Sequence, residues 1–187
     1  MDPLELIAVV FGIVSVFLST REHIGSWPTA LVNVTLYFVV LQRAQLYANA
    51  WLQLMYFALS CYGWYEWKFG GAAHAGVVVT RTSRRTGTLL VALVPVSTLV
   101  IYWILTRFTD ASSPWLDAGT TAMSLAAQWM MTRKLLENWQ VWCVVNVVYV
   151  GMYLSQGLAP SAALYAVYFG LAVSGHFAWT RSLEMPK

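Results

Sequence analysis

Residues 47–67 read YANAWLQLMYFALSCYGWYEW, and 112 positions later residues 159–179 read APSAALYAVYFGLAVSGHFAW. Ala50, Leu52, Tyr56, Phe57, Leu59, Gly63 and Trp67 meet identical residues at that shift, and so does Leu46 just before the stretch. Working outward, Leu4, Thr20, Arg21, Trp27, Val32 and Tyr37 match as well, so 14 of the 64 positions from 4 to 67 coincide without a gap. A skewed apolar composition does not give that many by chance. The chain is an internal duplication of about 64 residues, joined by one apolar segment, a pattern that marks membrane proteins whose halves enclose a site near the bilayer midplane.

Apolar residues make up 59% of the chain and charged residues 10%, against roughly 25% charge in an average soluble domain. A soluble fold is excluded on that ground. The 10 Trp and 10 Tyr are amphipathic rings that collect at membrane interfaces, and their number suggests that some line a site. Runs of about 20 mainly apolar residues predict helices near 4–20, 27–43, 50–68, 87–107, 115–132, 138–154 and 159–180. Asp2 and Glu5 stand where a cleaved secretory signal carries positive charge, so the first run is expected to remain as a span. Residues 70–86, rich in Gly, Thr and Arg, read as a flexible cytoplasmic linker. Pro28 suits the first turn of its helix, where a missing N–H costs nothing, and Pro95 predicts a kink in the fourth.

With the N-terminus outside, the inner segments hold Arg21, Lys68, Arg81, Arg84, Arg85, Arg133, Lys134, Arg181 and Lys187, and the outer ones only Arg43 and Arg107. Nine against two satisfies the positive-inside rule. The net charge of +3 therefore reflects membrane topology, and no basic stripe or zinc pattern points to nucleic acid. Three helices followed by a single one return the chain to its starting side, so the second triplet repeats the orientation of the first. The expected fold is an all-α membrane protein of seven transmembrane helices, built as 3+1+3 parallel repeats in the manner of SWEET transporters. Residues 1–69 form the first bundle, 70–108 the linker and linking helix, and 109–187 the second bundle.

On the sixth helix Trp139, Trp142, Asn146, Tyr149 and Tyr153 fall at 0, 3, 7, 10 and 14, a stripe of about 80° on one face. The third helix offers Gln53, Tyr56, Ser60, Gly63 and Trp67 at the same spacings, and the seventh Tyr165, Tyr168 and Gly175. Facing triplets would bring these stripes together as a polar, aromatic-lined site, to which Asn33 on the second helix adds an amide. The plainer reading is that amides and hydroxyls bond across helices for on the order of 0.6 kcal/mol. Trp67 and Trp179, at the inner ends, read as interface anchors, and Gly63 and Gly175 as points of close helix packing.

No Asp, Glu, Lys or Arg lies mid-span; Glu5 and Glu66 are near ends, with Lys68 close to Glu66 as a partner. Ion-coupled carriers generally keep a buried carboxylate or His, so passive, facilitated movement is the simpler expectation. No enzyme is expected: His23, His74 and His176 are far apart, no His pair stands at metal-binding spacing, and Ser60 and Ser174 lack a base. The catalytic and metal sets are therefore empty and no cofactor is implied. Cys61 and Cys143 read as free mid-span thiols behaving as small apolar residues.

The run Tyr47-Ala48-Asn49-Ala50-Trp51-Leu52-Gln53 into Tyr56, then Tyr62-Gly63-Trp64-Tyr65-Glu66-Trp67, with Glu137-Asn138-Trp139, Trp142 and Asn146 later, resembles the PnuC family of bacterial vitamin B transporters. Trp27-Pro28, Leu164-Tyr165 and Tyr168 fit as well, so the resemblance covers nearly the whole chain. It implies uptake of a vitamin precursor across the bacterial inner membrane by facilitated diffusion, typically nicotinamide riboside, with thiamine or riboflavin carried by relatives. Trapping by a cytoplasmic kinase and a homotrimeric assembly are also implied. By matching position, Trp139, Trp142, Asn146, Gln53, Tyr56, Tyr165 and Tyr168 would belong to the site, and Tyr149 and Asn33 complete the candidate set. Asn49 and Trp51 depart from the pattern expected of relatives. A facilitator of another neutral solute such as a sugar, and a receptor that transports nothing, are the competing classes.

Overall fold

A computed structural model describes residues 3–43, 45, 47–71, 74–109 and 113–184. Asp2, Leu46 and Lys187, which enter the sequence reading, lie outside the described residues. The described residues form seven α-helices and no strand: α1 (Pro3–Thr20), α2 (Ser26–Arg43), α3 (Tyr47–Phe69), α4 (Arg84–Phe108), α5 (Pro114–Thr132), α6 (Asn138–Ser155) and α7 (Ala159–Glu184). Each expected span finds its helix, with no end displaced by more than four residues. By length and composition α1, α4 and α7 are apolar enough to cross a membrane. The others carry more amides, hydroxyls and aromatic rings, which lowers their hydropathy.

The helix ends follow local chemistry. Ser83 caps α4, its Oγ accepting from Thr86 N–H at 3.1 Å, and Pro114 opens α5, where its fixed φ suits the first turn. α1 and α5 end alike. Glu22 and Lys134 adopt left-handed backbone, φ 54° and 48°, and His23 N–H and Leu135 N–H reach back to Leu18 and Met130 C=O at 3.0 Å each. These are matching Schellman turns, 112 residues apart.

The core repeats the same correspondence. Trp27 meets Trp67 edge-on at 5.2 Å, Trp139 meets Trp179 edge-on at 5.3 Å, and Trp67 and Trp179 touch at 6.1 Å. Such pairs contribute about 0.5–1.5 kcal/mol each beyond their burial. A Cβ at Gly63 would collide with the Trp27 ring and one at Gly175 with the Trp139 ring, so these glycines permit the close packing expected of them. Trp67 Nε1–H donates to Met131 C=O at 3.1 Å and Trp179 Nε1–H to Ser19 C=O at 3.0 Å. α1 packs on α7 and α3 on α5, so each bond joins one triplet to the other.

Three expectations are corrected here. Trp67 and Trp179 are not interface anchors but 7% and 0% exposed: their N–H groups face last-turn carbonyls of α5 and α1, a partner that hydropathy near a span end does not reveal. Glu66 pairs with Arg133 at 3.1 Å, not with its neighbour Lys68, which lies 5.1 Å from the Phe69 ring. The linker is tied down over Val79–Thr82. Thr80 N–H donates to Lys134 C=O and Thr80 C=O accepts from Leu136 N–H, Val79 is buried against the tryptophans, and Thr82 donates through N–H and Oγ1 to Glu137 Oε2 at 2.7 and 2.6 Å. Partial burial pushes the Glu137 carboxyl up, but the Thr82 bonds and the Arg81 charge outweigh it and hold it below the usual carboxylate value.

α4 packs on α5, runs through Pro95 as one helix and has no buried residue. Cys61 and Cys143 are free.

Candidate functional site

Toward the opposite end of α6 from Trp139 the chain gathers tyrosines. Tyr149 lies 4.6 Å from Tyr165, Tyr153 stacks on Tyr165 at 5.3 Å and on Tyr149 at 6.1 Å, and Tyr165 meets Tyr168 edge-on at 5.9 Å. The helical period explains this: 149 and 153 on α6, and 165 and 168 on α7, are each one turn apart on one face. Tyr56 of α3 lies within electrostatic reach of Tyr149 and Tyr165. Gln53, half-buried, is one turn before it. Asn146 is 4% exposed, one turn from Tyr149. On the first triplet, Tyr168 Oη and Asn33 Nδ2 converge on Gly12, and Asn33 Nδ2 donates to Ala8 C=O at 2.7 Å.

The structure thus brings Asn33, Tyr56, Tyr149, Tyr165 and Tyr168 into one region, sets Gln53 and Asn146 one helical turn from its tyrosines, and leaves two candidates outside it. Trp139 belongs to the tryptophan core, and Trp142 is half-buried against that core. The stripe read on α6 therefore serves two places: indoles at one end, phenols at the other, Asn146 between. The buried Trp139 Nε1 has no hydrogen-bond partner among the described residues.

Three residues of α5 escaped the sequence reading. Ser124 lies near the Tyr56 and Tyr149 phenols and Thr120 near that of Tyr149; both are almost fully buried, and Thr120 Oγ1 donates to Leu116 C=O at 2.7 Å. Asp117, in the first turn of α5, lies within electrostatic reach of Tyr149 and Tyr153. Asp117, Thr120 and Ser124 stand at 0, 3 and 7, so the stripe test applied to α6 would have found them. Glu5, the counterpart of Asp117 at the 112-residue shift, acts likewise on Tyr37.

Chemically, the region offers stacked phenol faces, buried amides and hydroxyls, with a carboxylate at each helix entrance. Planar aromatic rings, a positive charge and hydroxyl groups are what it can hold. Among the described residues no group of His, Cys, Asp or Glu could hold a metal ion. Two clefts lie elsewhere: an apolar one of about 410 Å³ between α4 and α5, and one of about 260 Å³ between α6 and α7 lined by Gln140, Cys143, Val173, His176 and Phe177.

The family model for the nicotinamide mononucleotide transporter matches residues 2–181. The chain belongs to that family. It is similar to the nicotinamide riboside transporter PnuC of Escherichia coli (strain K12), 24% identical over 96% of this chain and 85% of that protein. Similar too are PnuC of Neisseria mucosa, 27% identical over 97% of this chain and 73% of the relative, and the riboflavin/roseoflavin transporter RibM of Streptomyces davaonensis, 25% identical over 94% and 83%. A crystal structure of the vitamin B3 transporter PnuC superimposes with a TM-score of 0.78 at 26% identity, covering 97% of this chain and 82% of that one. The family and the apolar helices make this a membrane protein, and its relatives are transporters.

Proposed function

We propose that the protein moves a vitamin B precursor, nicotinamide riboside above others, across the bacterial inner membrane by facilitated diffusion. The observation that carries this is the tyrosine group of α6 and α7 with amides and hydroxyls around it. A pyridinium ring is attracted to such faces, by about 2 kcal/mol or more when desolvated, and ribose hydroxyls suit Asn33, Gln53 and Asn146. Glu5 and Asp117 add negative potential for a cationic ligand. The proposed binding set is Asn33, Gln53, Tyr56, Asn146, Tyr149, Tyr165 and Tyr168, with Trp139 and Trp142 contacting the solute on its way past the tryptophan end.

In this reading residues 1–69 and 109–187 are parallel repeats in SWEET-like order and 70–108 links them. Matching helix ends, indole pairs and Nε1 bonds at one constant shift support it. The N-terminus lies outside and the C-terminus in the cytoplasm, as the basic residues favour. A homotrimer, and a cytoplasmic kinase that traps the solute as its phosphate, follow from the family resemblance. Riboflavin is the second reading, favoured by the Streptomyces relative, because a flavin stacks on the same phenols without needing a charge.

Thermal stabilisation of purified protein tests the ligand. Nicotinamide riboside, riboflavin, thiamine, a sugar and the vitamin phosphates form the panel, since a ligand that binds only the folded state raises stability by mass action. Stabilisation by nicotinamide riboside with counterflow in liposomes is expected. Stabilisation by a sugar alone, or binding without counterflow, would overturn the proposal.

A further inference from the structure

Two ion pairs lie at the end of the bundle where α1 and α5 finish. One is unusual in its partners. Lys134 Nζ meets Glu22 Oε2 at 3.0 Å, and residues 22 and 134 are each other's counterparts at the 112-residue shift. Each sits at the left-handed position of its Schellman turn, a conformation that the Cβ of an L-residue disfavours. Lys134 Nζ also lies 4.5 Å from the Trp67 ring, and the second pair, Arg133 with Glu66, ties α5 to α3. Beneath these contacts the four tryptophans and Val79 fill the space between the triplets. This end is closed.

It is closed with a defect. Ser26 Oγ and Trp27 Nε1, and their counterparts Asn138 Oδ1 and Trp139 Nε1, are buried with no hydrogen-bond partner among the described residues. Buried unpaired polar atoms are costly and infrequent in a permanent core, and here they recur at equivalent positions of both triplets. Opening the end would give all four access to water. A packed element with two discrete arrangements needs such opposing terms.

We infer that this end is a gate of the transport cycle, latched by Glu22 and Lys134 across the two triplets. The inference rests on the transport reading above. The latch is a contact between the turns that end α1 and α5, so parting the triplets at this end breaks it first. Under the proposed topology the gate is the cytoplasmic one, and solute leaves past Trp139 and Trp142 when it opens.

The test is a removable clamp. In a Cys61→Ala/Cys143→Ala background, Glu22→Cys and Lys134→Cys are joined by a flexible bis-methanethiosulfonate reagent in liposomes, then released with reductant. Nicotinamide riboside counterflow and its thermal stabilisation are both read. A shut gate should lower counterflow by roughly tenfold or more, since conformational steps limit turnover, while stabilisation by ligand persists and reduction restores flow. Counterflow unchanged by complete linking, or loss of ligand stabilisation together with counterflow, would overturn the gate. Charge variants give a second arm if the cysteine pair does not fold. Glu22→Lys or Lys134→Glu alone should cut counterflow, and Glu22→Lys/Lys134→Glu together should restore it; failure of the double variant to recover any flow counts against the latch. The unmodified protein is assayed first with the whole vitamin panel: no counterflow there sinks the transport reading itself, before any clamp is applied.

Discussion

Gly175 has the Trp139 ring where a side chain would begin, whereas Gly151 has nothing within 4 Å of that point. Gly175→Ala should therefore lower the melting temperature in detergent, overpacking costing about 1–3 kcal/mol, and Gly151→Ala should leave it near wild type. Equal effects would mean the indole can give way. The two kinds of aromatic residue should separate in the same way. Trp67→Phe removes the Nε1–H bond to Met131, worth about 1 kcal/mol, and should lower stability while ligand affinity per folded molecule is kept. Tyr165→Ala removes the ring that three other tyrosines touch. Loss of about 1.4 kcal/mol of ring contact would weaken binding roughly tenfold, read by titration calorimetry. If Trp67→Phe also abolished binding in folded protein, the division into core indoles and site phenols would fail.

At the scale of elements, the strap from Val79 to Thr82 depends on Glu137 as an anion. Its carboxyl titrates below the usual value in the folded protein. The sign follows: the stabilisation is fully present above the unfolded carboxylate pKa and is lost as pH falls through the depressed folded value. Exchange of the Thr82 amide, taken relative to its intrinsic rate at each pH, should thus be slow at neutral pH and rise on acidification below the ordinary carboxylate range. Glu137→Gln should raise it at neutral pH too, because an amide accepts a weaker bond than a carboxylate. Mass-spectrometric hydrogen exchange on a peptide spanning residues 77–83 reads both. A protection level that ignores both acid and the substitution would show that the bridge through Thr80 suffices.

For the whole molecule, the near-surface placement of the carboxylates sets the energetics of transport. Glu66 is engaged by Arg133 and Glu22 by Lys134, and Glu5 and Asp117 lie in first turns, so no mid-span acid is offered to a coupling ion. Labelled neutral solute should equilibrate in liposomes without accumulating, whatever proton or Na⁺ gradient is imposed. Concentrative uptake driven by such a gradient would refute passive transport. With a cationic solute the potential must be clamped at zero, because one charge gains about 2.3 kcal/mol per 100 mV and would mimic coupling.

The duplication, the helix count, the close approaches at Gly63 and Gly175 and the family were legible in the chain, because each rests on spacing along one sequence. Burial of Trp67 and Trp179, the Glu66–Arg133 and Glu22–Lys134 pairs and the docked linker were not. Each depends on which faces of distant helices meet, and a Trp near a span end has the same hydropathy whether it faces lipid or a neighbouring carbonyl. The site shows both limits. The periodic stripe on α6 grouped residues of one face, but only packing divided it, sending Trp139 into the core between Gly175 and Trp179 and leaving Tyr149 and Tyr153 to stack with Tyr165, since one helical face more than two turns long spans different depths of the bundle.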